Sequence, residues 1–170
     1  MRDLLDSLTA RCSLDPKRIF ATGISPGGMA NRPGCELADR IAAIGPVSGD
    51  YANSEYCSPN RSLPVVAFHG TLDTTIPYNG FGLPGEMHES YTRIGTPIPT
   101  WAAGWGEHNG CQAKPAMIYR EGQVSGQVWS GCQAGASVLL YTIDGGTHQW
   151  PAAVNAAQMI WDFFSQHSMP

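Results

Sequence analysis

Gly23-Ile24-Ser25-Pro26-Gly27 is the segment of this chain whose residue types and spacing can do chemistry. A serine with glycine two residues away on either side fits a sharp strand-to-helix turn, because glycine lets backbone approach backbone where a Cβ would collide, and such a turn pushes the hydroxyl outward. A hydroxyl is a weak nucleophile until a base takes its proton, and the base needs a carboxylate to hold its tautomer. The sequence offers both: Asp73 in His69-Gly70-Thr71-Leu72-Asp73, and His148 in Gly145-Gly146-Thr147-His148. Ser25, His148 and Asp73 would then be nucleophile, base and orienting acid. Each also has a plain reading, as a turn serine, a loop histidine and an aspartate that caps a turn with Thr74. The five-residue pattern arises by chance in roughly a few per cent to a tenth of chains of this length, so its setting has to decide.

The elements around the three residues supply that setting. Residues 18–22 form a short apolar run ending in Gly23, and Gly27-Gly28-Met29-Ala30 reads as a turn opening a helix, which gives strand, sharp turn, helix. Residues 41–47 and 63–68 are apolar without alternation, as expected of parallel strands covered on both faces. Residues 138–143 are the strongest strand in the chain. Asp73 follows the 63–68 strand and His148 the 138–143 strand, where open parallel sheets place ligand-facing groups. The order Ser, Asp, His is that of α/β-hydrolases rather than of chymotrypsin or subtilisin. Further helices are expected over residues 2–11, around Trp101 and Trp105 up to Asn109-Gly110, and over 153–166; a hairpin over 117–129; and a long loop over 69–96. The fold class is therefore α/β, a mostly parallel sheet with flanking helices, in one domain spanning residues 1–170.

Composition narrows the chemistry. With a net charge of −4 and only two lysines among ten basic residues, the chain has no basic stripe for nucleic acid, and its apolar runs are too short to cross a membrane as a helix. Five cysteines without a C-x-x-C pair favour disulfides over a metal site, in many possible arrangements, and few lysines with 20 glycines and 13 prolines suggest a secreted protein. No cofactor is implied. His69 reads as structural, since Asp73 already supplies the acid; His88, His108 and His167 read as solvent-exposed; Trp150 either fills the core or lines the substrate pocket.

Residues 21–29, 35–43, 65–73 with Ile76-Pro77-Tyr78, and 141–151 with residues 160–164 resemble the polyhydroxybutyrate depolymerase and feruloyl esterase family. The resemblance implies a secreted serine esterase of the α/β-hydrolase fold, acting without metal or cofactor on feruloyl or acetyl esters of plant polysaccharide, or alternatively on polyester oligomers. It implies Ser25, Asp73 and His148 as the triad, with Pro26, Gly27 and Trp150 near the substrate. It also implies bridges Cys111–Cys132 and Cys35–Cys57, leaving Cys12 a thiol. Three departures stand out. The strands and His-Gly loop expected ahead of the elbow do not precede Met1, so the chain is expected to be N-terminally truncated, with a bare edge on the 18–22 strand open to self-association. Pro33 favours a kink in the helix after the elbow. Pro26 has no N–H to give an oxyanion. A competing reading is a catalytically impaired fragment that keeps carbohydrate contacts through Trp101, Trp105 or Trp150.

Overall fold

The computed structural model describes residues 1–28, 31–49, 59–80, 96–112 and 114–170. Six strands form one mixed sheet in the order β1-β2-β3-β6-β5-β4, with β1 at Phe20–Ile24, β2 at Ala43–Val47, β3 at Val65–Gly70, β4 at Ala116–Glu121, β5 at Val124–Trp129 and β6 at Val138–Ile143. β1, β2, β3 and β6 run parallel, while the β4–β5 hairpin adds antiparallel beyond β6. Among the described residues β1 pairs with β2 alone. The helices are α1 at Arg2–Arg11, α2 at Asn31–Glu36, α3 at Ile98–His108 and α4 at Ala156–Ser165.

Side chains alternate across a strand, so each central strand feeds two cores. Val65 and Ala67 of β3, with Val138 and Leu140 of β6, face Trp101, Ala102 and Trp105 of α3 and Leu5 of α1. Val66 and Phe68, with Tyr141 and Ile143, face Ile160, Phe163 and Phe164 of α4. α4 shows why the sequence is helical there: Ala156, Ile160, Phe163 and Phe164 recur at helical spacing and are buried, and the Asn155 carboxamide oxygen accepts from the Gln158 N–H at 3.2 Å to cap the first turn. Burying each of the larger side chains contributes about 1.5–3 kcal/mol.

Polar side chains stitch the edges of this sandwich. Asn109, fully buried just past α3, accepts from the Leu63 N–H at 2.8 Å and donates to the Leu63 carbonyl at 2.8 Å, fixing where the chain enters β3. The Arg61 guanidinium donates to the carbonyls of Ala38, Ile41 and Ser62, and the ring of His108 contacts the Arg61 carbonyl at 3.1 Å.

The turn after Ser25 is a short 3-10 helix, Ser25–Gly28, and Pro33 lies in α2; the kink expected of the helix leaving the elbow turns on residues 29–30, outside the described residues. Two sequence expectations change here. His108 and His167 are half-buried rather than exposed. Trp101 and Trp105 are core residues, each 5% exposed and packed edge to face, so neither is available to a carbohydrate.

Cys111 and Cys132 are bonded across a separation of 21 residues, tying the end of α3 to the end of β5, and Cys12 is free and exposed. The Cys35–Cys57 pairing falls on Cys57, outside the described residues. On the chain-entropy account a loop of this length contributes about 3 kcal/mol. Replacing Cys111 and Cys132 together with serine is expected to lower unfolding free energy by about that amount in urea titrations. Non-reducing peptide mapping should join Cys111 to Cys132 and find Cys12 alkylated.

Candidate active site

Ser25 stands at the end of β1 with φ of 56°, in the left-handed region that costs an L-residue about 1–2 kcal/mol. The turn after it folds back so tightly that a Cβ on Gly23 would lie 2.7 Å from the Gly27 carbonyl carbon, which makes Gly23 a steric requirement. A Cβ on Gly27 would meet no atom within 4 Å, so the two glycines of the motif are not equivalent. Ser25 is half-buried, and Pro26 and Gly27 beside it are exposed.

His148 follows a strand far from the one that carries Ser25. β1 and β6 are separated by β2 and β3, three strand spacings or roughly 14 Å, so the chain leaving β6 must cross above the end of β3. It crosses at Gly70, where a Cβ would lie 2.2 Å from the Gly146 carbonyl oxygen. The crossing is pinned by the Thr71 N–H to the Ile143 carbonyl at 2.9 Å and the Leu72 N–H to the Gly146 carbonyl at 2.8 Å. The Thr71 hydroxyl adds two bonds, accepting from the Gly145 N–H at 2.9 Å and donating to Asp144 at 3.2 Å.

His148 is thereby delivered onto both partners. Its Nε2 lies 2.8 Å from Ser25 Oγ, and its Nδ1 lies 2.8 and 3.1 Å from Asp73 Oδ2 and Oδ1. With Nδ1 facing a carboxylate, the proton belongs on Nδ1 and the Nε2 lone pair faces the serine. The Asp73 side chain is fully buried while His148 keeps 21% exposure, so the carboxylate is sealed and the serine–imidazole pair is open to solvent. Asp73 also behaves as a turn residue: its Oδ1 accepts from the N–H groups of Thr75 at 2.9 Å and Ile76 at 2.8 Å. The capping reading and the acid reading of Asp73 are thus compatible. This constellation can draw a proton from a hydroxyl and return it to a leaving group.

Trp150 is 37% exposed, two residues beyond His148, and is not core. A small cleft at the histidine loop is lined by Ser48, His69, Thr147 and Gln149 among others, without Ser25 or Trp150. His88 lies outside the described residues. Sequence reasoning missed the supports: Thr71, and Tyr78, whose hydroxyl meets the Thr142 hydroxyl at 2.8 Å. Both fall within segments that carry the family resemblance, but only tertiary contact shows what their hydroxyls do.

No protein-family model matches the chain. It is similar to feruloyl esterase B of Piromyces equi, at 36% identity over 99% of this chain and 31% of the relative. It is also similar to the bifunctional acetylxylan esterase/xylanase XynS20E of Neocallimastix patriciarum, at 25% identity over 96% of this chain and 22% of the relative. The chain therefore spans under a third of the length of either, and both relatives are esterases by name.

Burial holds the His69 and His167 imidazoles below the ordinary histidine value of 6.5, because a buried ring resists charging. The unfolded chain then takes up these protons at higher pH than the folded one, so stability falls as pH drops through 6.5 and the loss ends once the folded rings also protonate. Urea midpoints should decline as pH is lowered through the ordinary histidine value of 6.5, and less steeply in His167→Gln.

Proposed function

We propose that this chain is a serine esterase of the α/β-hydrolase fold, secreted, hydrolysing feruloyl or acetyl esters of plant polysaccharide without a cofactor. The observation that carries the reading is the unbroken relay from Ser25 Oγ through His148 to Asp73, each link at 2.8 Å, in a chain whose relatives are esterases. The parallel strands β1, β2, β3 and β6, with the three residues following β1, β3 and β6, support the fold assignment. The disulfide and the names of the relatives, one a feruloyl esterase and one an acetylxylan esterase, support secretion and the substrate class.

In this reading His148 Nε2 takes the Ser25 proton as Oγ attacks the ester carbonyl carbon. The tetrahedral adduct collapses, His148 hands the proton to the departing alkoxide, and an acyl-serine is left. Water, deprotonated by the same nitrogen, then releases the acid and restores the serine. Asp73 holds the Nδ1–H throughout and stabilises the imidazolium.

Pro26 is the weak point of the site. The residue after the nucleophile ordinarily gives its N–H to the oxyanion, and losing one such donor costs about 10²- to 10³-fold in rate. Weak turnover, confined to activated esters, is the expected behaviour of this chain. The side of β1 that has no partner strand among the described residues is where a second copy would add one, and sedimentation velocity tests that association directly.

With p-nitrophenyl acetate the chain should give a burst of nitrophenol and should be labelled at Ser25 by a fluorophosphonate; Ser25→Ala should lose both. A folded chain that resists labelling would refute the reading. Hydrolysis of methyl ferulate or acetylated xylan over hydroxybutyrate oligomers would fix the substrate class, and the opposite preference would move it to polyesters. Pro26→Ala restores an N–H and should raise kcat by about tenfold or more with little change in KM, since the donor acts mainly in the transition state. An unchanged kcat would mean that the oxyanion is stabilised elsewhere.

A further inference from the structure

His69 is buried at 1% exposure, on the strand that leads to Asp73, and the catalytic cycle above leaves it without a role. Its Nε2 lies 2.8 Å from the Ile76 carbonyl and 3.4 Å from Asp73 Oδ2. Both neighbours are acceptors only, so Nε2 must carry the proton, and the ring presents a fixed N–H to the turn at residues 73–76. That turn is the one whose Thr75 and Ile76 amides hold Asp73 Oδ1. In the register of β3 with β6, His69 sits opposite Thr142, whose hydroxyl meets Tyr78 on the same segment. Farther along, the Tyr78 carbonyl receives the Ile98 N–H at 2.9 Å. Two adjacent strands thus grip one irregular segment at two points two residues apart, the Ile76 carbonyl and the Tyr78 hydroxyl.

We propose that His69 is a positioning residue of the triad: its Nε2–H clamps the Ile76 carbonyl and borders Asp73 Oδ2, so that the carboxylate meets His148 Nδ1 in one orientation, with the Thr142–Tyr78 contact as the second clamp. This rests on the triad reading above. Geometry favours the role over mere filling of space. An apolar ring of similar size would fill the site, but it would leave the half-buried Ile76 carbonyl without this donor and the Asp73 turn without its lateral restraint. Because Asp73 has no solvent contact of its own, its aim is set by what surrounds it. A misplacement of about 1 Å at a reacting group can cost on the order of 10²-fold in rate.

The test compares His69→Phe, which keeps the volume, with His69→Gln, whose side-chain amide can return an N–H toward Ile76, and with Thr142→Val at the second clamp. Each is measured for melting temperature, for kcat and KM on p-nitrophenyl acetate, and for the rate of fluorophosphonate labelling at Ser25. His69→Phe is expected to lower kcat and the labelling rate about 10- to 100-fold with KM within about twofold, and His69→Gln to recover most of the loss. Thr142→Val should show a smaller loss in the same two quantities. The far-downfield proton resonance of His148 Nδ1–H should be lost in His69→Phe and kept in His69→Gln. If His69→Phe does not fold, the Gln and Val variants decide. Labelling and kcat at wild-type level in Thr142→Val and His69→Phe, or a His69→Gln variant that folds yet behaves like His69→Phe, would overturn the proposal while leaving the triad standing. A wild-type chain that does not label at all would overturn the triad and this proposal with it.

Discussion

The crossing of the β6 exit over the end of β3, at Gly70 and Gly146, is the contact on which the rest of the site depends. Strand order alone would keep His148 and Ser25 apart by most of the width of the parallel sheet. The crossing closes that distance, and it leaves no room for a side chain at either backbone. Four hydrogen bonds between residues 71–72 and 143–146 then fix the height of the loop, so that the imidazole arrives with one nitrogen on each partner. A site assembled in this way is rigid where it is hidden and open where it must meet a substrate. Asp73 is sealed beneath the crossing, while His148 and Ser25 face outward.

The two cores explain why the platform under that crossing holds still. β2 and β3 are buried along their whole length, and successive residues of β3 pack alternately against α3 and α4. Pro46 sits in the middle of β2, an unusual place for a residue without a donor, and the ladder to β3 is carried on either side of it, at Ile44–Val65 and Val47–Phe68. His69 continues the alternation one step beyond the core. The parity that sends Val65 and Ala67 toward α3 also sends His69 to that side, where it meets the segment after Asp73 and lies 6.0 Å from the Tyr78 ring. Polar residues at the top of a strand are thus placed by the same period that places the apolar ones below them.

Ser25 is one of three non-glycine residues with positive φ among the described residues, beside Ser48 and Ala134. Ser25 adopts a backbone conformation that most residues avoid, and it does so between a strand held by β2 and a turn that presses on Gly23. The neighbouring position, Pro26, has no N–H, so the Ser25–His148–Asp73 hydrogen-bond chain stands beside a position that cannot donate from its backbone. Relay and oxyanion donor are separate requirements of acyl transfer, and a chain can satisfy one without the other.

The sequence by itself determined the elements and the participants. Apolar runs without alternation marked β2 and β3, an apolar stretch marked β6, helical spacing marked α1, α3 and α4, and Ser25, Asp73 and His148 were legible as candidates for chemistry because each followed a strand. These are local properties, written in a few neighbouring residues. Only the tertiary structure decided the rest. Whether Trp101 and Trp105 meet a ligand or a core depends on what α3 packs against, and they meet the sheet. Exposure of His108 and His167 depends on Arg61 and on Phe163, far from one and near the other in sequence. The contacts of Thr71 with Asp144 and of Tyr78 with Thr142 join residues more than sixty positions apart, and the pairing of β3 with β6 sets His69 opposite Thr142. Periodicity records which face of an element is buried, whereas which side chain opposes it is fixed only when the register of neighbouring strands is set.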